Sequence, residues 1–490
     1  MNSNKSVLSQ NSTPILNILF ESSKQDKAAF YAPGHKKGQG IEPHLIDLLG
    51  KKTFQSDLPE LPELDNLFAP QTVILQAQQL ASQCFGADFT WFLVNGSSCG
   101  IISAIMATCG AGDKIILPRN IHQSAIAGLI MSGAIPIFVN PEHDHIRDIT
   151  YNITPQALSQ ALKKHPSTKA VMVLHPTYQG ICSDLGEILE ITQQYQIPLL
   201  VDEAHGGHFA FHKDLPPSAL SLGADLTVQS THKVLGAMTQ ASMLHLQGNK
   251  IDSQRISKAL QLMQSTSPSY LLLASLDAAR KQMAIEGTEL MSYSLNLADT
   301  AIAEISQIPG LSVLEWEQKP GFKYLDRTRL TVDVSQLGIT GYEADEILHQ
   351  HLGVTCELPL LKHLTFIITF GNTDKDIEKL IAALKTLSKS YSNPAQTSVS
   401  TTFNTPPDSM LQLSPREAYF APTETIPLKE SGDRICGELI CPYPPGIPAL
   451  MPGEVITQQA IDYLQQILDS GAIITGCKDE NLKNIEVINK

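Results

Sequence analysis

The chain has 490 residues, about three domains at roughly 150 residues each, and 42 % of them are hydrophobic, which excludes a disordered protein. With 35 Lys and Arg against 49 Asp and Glu, the formal charge is −14, and a strongly basic nucleic-acid-binding face is not indicated. Charged residues make up 17 %, against about 25 % in an average soluble chain, a hint of surface hidden in subunit contacts.

The N-terminal stretch 1–20 is polar, and its one apolar run, 15–20, is too short for a secretory signal. No stretch approaches the ~18 apolar residues of a membrane span. The eight cysteines form no CxxC pair, so neither a zinc nor a redox site is signalled. The reading is a cytoplasmic protein with free thiols and no metal.

Along the chain, residues 1–75 read as an N-terminal arm. Short apolar runs then follow at 91–94, 114–117, 135–139, 170–174, 198–201, 226–229 and 241–246, separated by helical patterns and loops. This alternation predicts a mostly parallel α/β sheet covered on both faces, in a large domain over 76–311. A small α/β domain spans 312–389 and closes with a helix, because Ile377, Leu380, Ile381 and Leu384 recur at helical spacing. Thr373 and Asp376 give that helix a capping-box-like start. From 390 to 409, 14 of 20 residues are Ser, Thr, Asn or Pro, which predicts a linker over 390–410. The last region, 411–490, is predicted to be α+β, with a helix over 455–468 that stops near Gly471.

Ligands of such sheets bind at the carboxyl ends of the strands. After 91–94 comes Asn-Gly-Ser-Ser and an apolar helix. A turn of small residues there sets backbone N–H groups, Ser97 and Ser98 at a helix N-terminus, where a phosphate binds well. Ordinary N-capping by Ser would look the same. After 198–201 comes Asp202-Glu203-Ala204-His205. A strand-end Asp is costly to bury unless it meets a partner such as a protonated heterocyclic nitrogen, or serves as a structural cap. After 226–229 comes Ser230-Thr231-His232-Lys233. Desolvation of that Lys lowers its pKa and suits Schiff-base chemistry, although a single Lys often just snorkels to the surface. His122, after 115–117, could stack on a flat cofactor or be an ordinary core histidine. The order of these features matters more than any one of them. A phosphate turn, a flat partner, a strand-end Asp and a Lys 31 residues later make the constellation that pyridoxal phosphate (PLP) needs. P-loop and Rossmann motifs are missing from these turns.

Further motifs extend this pattern. They are Tyr-Ala-Pro-Gly-His-Lys-Lys-Gly at 31–38, Leu-Pro-Glu-Leu-Asp-Asn-Leu at 61–67, His-Pro-Thr-Tyr-Gln-Gly at 175–180 and Ser-Thr-Ser-Pro-Ser-Tyr at 265–270. Pro-Tyr-Pro-Pro-Gly-Ile-Pro at 442–448 and Pro-Gly-Glu at 452–454 close the series, with five prolines between 442 and 452. With these residues the chain resembles the ornithine/lysine/arginine decarboxylases, fold-type I PLP enzymes, over nearly its whole length. It resembles the short, biosynthetic members, since the Pro-Gly-His segment begins by residue 33 with no receiver-like domain before it.

The resemblance implies a PLP-dependent transferase-like large domain over 76–311 and an Orn/Lys/Arg decarboxylase C-terminal domain over 411–490. Lys233 would form the Schiff base, Asp202 would pair with the pyridine nitrogen and His122 would stack on the ring. Ser97, Ser98 and Ser230 would hold the phosphate. Thr177 would lie near the ring hydroxyl and His205 close to Asp202. Thr266 and Ser267 would reach the site of a partner subunit, because the family builds its sites at a homodimer interface, with higher oligomers also open. The implied reaction is α-decarboxylation, with His232 or Lys233 delivering the proton to Cα. The cationic end of the substrate needs a carboxylate. Glu454 is the first candidate, followed by Glu63, Asp65 and Glu438, any of which could instead form a surface or interface salt bridge. The short type points to L-arginine, giving agmatine for polyamine synthesis. Lysine, ornithine and a PLP-binding non-catalytic homologue stay open, as does another fold-type I reaction, against which the proline-rich segment argues.

Overall fold

The computed structural model describes residues 8–391, 410–443, 447–469 and 473–489. Most of the expected linker, 392–409, lies outside the described residues, as do 444–446 of the proline-rich segment and Gly471. The chain divides into two compact units. The first comprises Met1–Ala107, Val201–Lys213 and Pro217–Leu290; the second comprises Thr108–Leu200, Asp214–Pro216 and Met291–Lys490.

Seven strands form the main sheet. They are Phe89–Leu93 (β1), Lys114–Pro118 (β2), Ile135–Val139 (β3), Thr168–Leu174 (β4), Leu199–Asp202 (β5), Leu226–Gln229 (β6) and Ser242–Leu246 (β7). Each lies within two residues of an apolar run read from the sequence. In the first unit the hydrogen-bonded order is β1-β7-β6-β5, with β7 antiparallel to both β1 and β6. In the second unit it is β5-β4-β2-β3, with β2 parallel to β3 and β4. Every residue of β5, β6 and β7 is buried, as a sheet covered on both faces requires. The polar residues among them must therefore find internal partners.

The main helices are Val73–Phe85 (α1), Gly96–Thr108 (α2), Gln123–Ser132 (α3), Tyr270–Ile305 (α4), Asp374–Tyr391 (α5) and Gln458–Asp469 (α6). Helix α2 lies close on the sheet because residue 100 is glycine. A Cβ there would stand 2.7 Å from Leu93 Cδ1 and 2.8 Å from Val228 Cγ1. No helix among the described residues is long and apolar enough to cross a membrane.

In the second unit a smaller sheet is built from Ser312–Val313 (β8), Arg329–Asp333 (β9), Leu358–Pro359 (β10) and His363–Ile367 (β11), in the order β8-β9-β11-β10. All of its pairings are antiparallel. Helix α5 lays Ile377, Leu380 and Leu384 into a core with Leu330, Val332 and Leu364, the apolar stripe read from the sequence. Its cap is reciprocal: Thr373 N–H donates to Asp376 Oδ2 at 2.8 Å, and Asp376 N–H donates to Thr373 Oγ1 at 3.4 Å. The C-terminal region is α+β, as expected. Thr423–Pro427 (β12) pairs with Asn484–Ile488 (β15), and Cys441–Tyr443 (β13) pairs with Ile473–Thr475 (β14). Its core joins Ile461 and Leu464 of α6 to Ile440, Leu450, Ile456 and Val487.

Candidate active site

In the first unit, three strand ends carry the predicted residues. Beyond β1 the chain turns at Gly96, whose φ of +74° favours glycine, and enters α2 with its first-turn N–H groups unpaired within the helix. Gln264 and Met263 hold this turn from the side. Gln264 Oε1 accepts Val94 N–H at 2.8 Å, and Met263 O accepts from Asn95 Nδ2 at 3.1 Å. Ser97 is half-buried and Ser98 exposed. Ser230, at the end of β6, donates its hydroxyl to Ser97 Oγ at 2.7 Å. Two residues far apart in sequence thus meet at a helix N-terminus, as a phosphate cradle requires.

Asp202 ends β5 at 3 % exposure. Its Oδ1 accepts Ala204 N–H at 3.2 Å. Burial pushes its carboxyl above the usual range, while the Lys233 ammonium and the Ala204 bond pull the other way. Lys233, three residues beyond Ser230, places Nζ 2.9 Å from Nε2 of the buried His205. The adjacent His232 lies 2.9 Å, through Nδ1, from Ala241 O. A carbonyl only accepts, so Nδ1 is the protonated nitrogen. An amine, a buried carboxylate and an anion cradle therefore share the carboxyl ends of β1, β5 and β6. Such a set can bind an anionic aldehyde and stabilise positive charge on a ring. Thr266 and Ser267 are exposed, in the segment before α4.

In the second unit, His122 is the N-cap of α3. Its Nδ1 accepts Ser124 N–H at 3.2 Å and lies 2.9 Å from Ser124 Oγ. Thr177 is buried in a tight turn, where its Oγ1 accepts Ile181 N–H at 3.2 Å and its N–H donates to Ile181 O at 2.9 Å. The segment leading to His122 is anchored by Arg119, a residue that the sequence reading passed over. Its Nη1 donates to Pro448 O at 2.8 Å, and its Nη2 donates to Ala449 O at 3.1 Å and to Glu454 Oε2 at 3.1 Å. Its place directly after an apolar strand, three residues before His122, was the available signal.

All four candidate carboxylates have partners within the chain. Glu454, at 1 % exposure, uses Oε2 for Arg119 and for Met451 N–H at 2.9 Å. Glu438 accepts Lys478 N–H at 2.9 Å and Glu486 N–H at 2.8 Å. Glu63 lies 3.7 Å from Lys27 Nζ. Asp65 accepts N–H bonds from Asn66, Gln71, Thr72 and Ile74, which set the start of α1. Burial raises the Asp65 carboxyl, but those N–H donors outweigh it and hold the group below its usual range. The Asp65 carbonyl accepts Tyr270 Oη–H at 2.6 Å, which joins the 61–67 motif to the 265–270 motif.

Comparison with known proteins adds a further finding. The chain matches the family model for Orn/Lys/Arg decarboxylase, major domain, over residues 13–376, and that for Orn/Lys/Arg decarboxylase, C-terminal domain, over 397–480. It is 40 % identical over 484 residues to a protein of Bacillus subtilis (strain 168) named arginine decarboxylase, covering 98 % of this chain and 99 % of that one. A protein of the same name from Halalkalibacterium halodurans is 38 % identical over 482 residues, covering 98 % of each chain. Among solved structures, the Francisella novicida lysine decarboxylase LdcF superposes with a TM-score of 0.85 at 24 % identity, covering 97 % of this chain and 81 % of that one. This last likeness is one of fold, and the fold-type I α/β reading of the sequence holds.

Proposed function

The chain belongs to the Orn/Lys/Arg decarboxylase family, and from that premise we propose that it decarboxylates L-arginine to agmatine and CO2 with PLP, in the cytoplasm. The observation that carries the substrate is the gradient of identity. It is 38–40 % over nearly full length to relatives named arginine decarboxylase, and 24 % to a Pseudomonas aeruginosa relative named lysine decarboxylase.

The donor set fits PLP. Asp202 is a buried carboxylate that accepts the Ala204 N–H, and a protonated ring nitrogen would supply a charged donor. The α2 N-terminus with Ser97, Ser98 and Ser230 suits the phosphate. When bound, PLP supplies the electron sink that accepts the pair left behind by a departing carboxylate. Lys233 would hold the cofactor's aldehyde carbon, with His205 orienting its amine. His122 would face the ring and Thr177 its hydroxyl. His232, with Nδ1 committed to Ala241 O, has Nε2 as the atom that carries a proton to Cα, and Lys233 is the other candidate.

For the distal cation we place Glu454 first. Its Oε2 accepts from Arg119 and Met451 N–H, and Oε1 is the oxygen that would meet the guanidinium. Asp65 and Glu438 follow because both oxygens of each already accept backbone N–H groups, and Glu63 because its Lys27 pair is a loose contact. A homodimer or larger assembly belongs to the proposal, with Thr266 and Ser267 serving the partner's site. So do the domain limits 76–311, 312–389 and 411–490. The test is to load the purified chain with PLP, supply L-arginine and quantify agmatine and CO2. Equal amounts of both support the reading. No amine from arginine, with cadaverine from lysine or putrescine from ornithine, would reassign the substrate.

A further inference from the structure

Strands alternate their side chains between faces, so Glu203 points away from the face that Asp202 serves. Its surroundings are unusual for a core. Glu203 and His245 are 0 % exposed, Gln229 is 2 % and Thr90 is 5 %. These four form one hydrogen-bonded chain. Glu203 Oε1 accepts Ala219 N–H at 2.7 Å, and its Oε2 accepts from Gln229 Nε2 at 2.7 Å. Gln229 Oε1 lies 3.2 Å from His245 Nε2, and His245 Nδ1 lies 2.8 Å from Thr90 Oγ1. Burial holds His245 down at about 3, so the ring is neutral and carries a single N–H. Gln229 Oε1 can only accept, which puts that hydrogen on Nε2 and makes Thr90 the donor to Nδ1. With Glu203 ionised, every donor in the chain points towards it.

The chain runs along the sheet from the end of β5 to Gln229 of β6, His245 of β7 and Thr90 of β1, the order in which those strands are hydrogen-bonded. Its Glu203–Gln229 end adjoins the candidate site. Glu203 directly follows Asp202, and its N–H also donates to Val228 O at 2.9 Å. Gln229 directly precedes Ser230 and stands four residues before Lys233. Backbone ladders alone would hold the strands together with apolar side chains here. Four buried polar groups are costly unless each is satisfied, and only one register of the strands satisfies them all.

We propose that Glu203 is a positioning residue: through Gln229, His245 and Thr90 it locks the Asp202 end of β5 against the Ser230–Lys233 end of β6. This rests on the reading of Asp202 and Lys233 as the cofactor-binding pair. Glu203 touches neither substrate nor cofactor and acts through the separation of those two residues.

Two substitutions separate the brace from the charge. In Glu203→Gln the chain can reverse. The new carbonyl accepts Ala219 N–H, and the new amide donates to a flipped Gln229. Gln229 then donates to His245 Nε2, and His245 Nδ1–H donates to Thr90. In Glu203→Leu the Ala219 and Gln229 donors lose their acceptor. The first readout is ¹⁵N NMR of histidine-labelled, cofactor-free protein, with the His245 signal assigned by its loss in His245→Gln. Above the Glu203 midpoint of about 8, to which burial raises it against its two N–H bonds, the wild type should carry the proton on Nε2 and Glu203→Gln on Nδ1. The second readout is the PLP-loaded enzyme. Glu203→Leu should lower kcat by on the order of 10–100-fold with little change in KM, as misplacement of reacting groups does, and should move the pH midpoint of the visible absorbance. Glu203→Gln should restore most of both. Should Glu203→Leu fail to fold, Thr90→Val keeps the shape and removes the last donor, and it should move the same midpoint in the same direction. Wild-type kcat and absorbance midpoint in Glu203→Leu or, where that does not fold, in Thr90→Val would overturn the proposal, as would Nδ1–H on wild-type His245 above the Glu203 midpoint. A wild-type chain that neither binds PLP nor yields an amine would instead refute the functional reading.

Discussion

The Arg119–Glu454 pair offers a quantitative test of how the proline-rich segment is held. The two side chains are 9 % and 2 % exposed and meet at 3.1 Å. Replacing Glu454 by Leu leaves the guanidinium with two carbonyl acceptors, Pro448 O at 2.8 Å and Ala449 O at 3.1 Å, and no counter-charge. Breaking a buried pair from one side costs about 3–5 kcal/mol. The two carbonyls stay in place, so the lower end, about 3 kcal/mol, is expected. Replacing both partners, Arg119→Met with Glu454→Leu, removes the stranded charge. Well-packed apolar substitutes for a buried pair are often close to neutral, so the double variant should be more stable than Glu454→Leu alone. Urea titration of the wild type, both single variants and the double variant closes the cycle, with an expected coupling of about 2 kcal/mol. Additive losses, or a Glu454→Leu protein as stable as the wild type within ~0.5 kcal/mol, would refute the assignment of Arg119 as the anchor of this segment.

Three further outcomes are expected. Lys233→Ala should fold yet show no visible absorbance on addition of PLP; a spectrum like that of the wild type would remove Lys233 from its role. Glu454→Gln keeps an acceptor for Arg119 and Met451, so its KM for arginine should rise by on the order of tenfold or more while PLP affinity holds, the pattern of lost uniform substrate binding. An unchanged KM would free Glu454 from the distal cation. Asp65 is held below the usual carboxylate range, so its contribution to stability is present above the unfolded pKa of about 4 and is lost as pH falls through the lower folded value. Asp65→Asn should therefore be less stable than the wild type at pH ~7, with the gap closing as pH falls below ~4, and a gap independent of pH would show that the carboxylate charge is not what matters.

Much of the fold was legible because burial on both faces writes itself into the chain as apolar runs. The stripe of Ile377, Leu380 and Leu384 and the Thr373–Asp376 cap are likewise local signals that the structure contains. The candidate site was legible only as residue types at strand ends: Asp202 is buried there, and Lys233 stands 2.9 Å from His205. The partners of the carboxylates were not legible. Glu454 and Arg119 are 335 positions apart, and no local pattern couples them. Asp65 reads as a candidate for a substrate cation, while its oxygens face backbone N–H groups, which every residue type supplies and no sequence spells out. Glu203 sits inside a motif that draws attention to Asp202, and its partners Gln229 and His245 come from strands that meet it only after folding.

Substrate identity is measured most directly by competition. PLP-loaded protein is given equal concentrations of L-arginine, L-lysine and L-ornithine, and agmatine, cadaverine and putrescine are quantified together at early times, so that their ratios equal the ratios of kcat/KM. Agmatine is expected as the dominant product, with the amine and CO2 released in equal amounts. Cadaverine or putrescine in excess, or no amine at all from a chain that has bound PLP, would contradict that expectation.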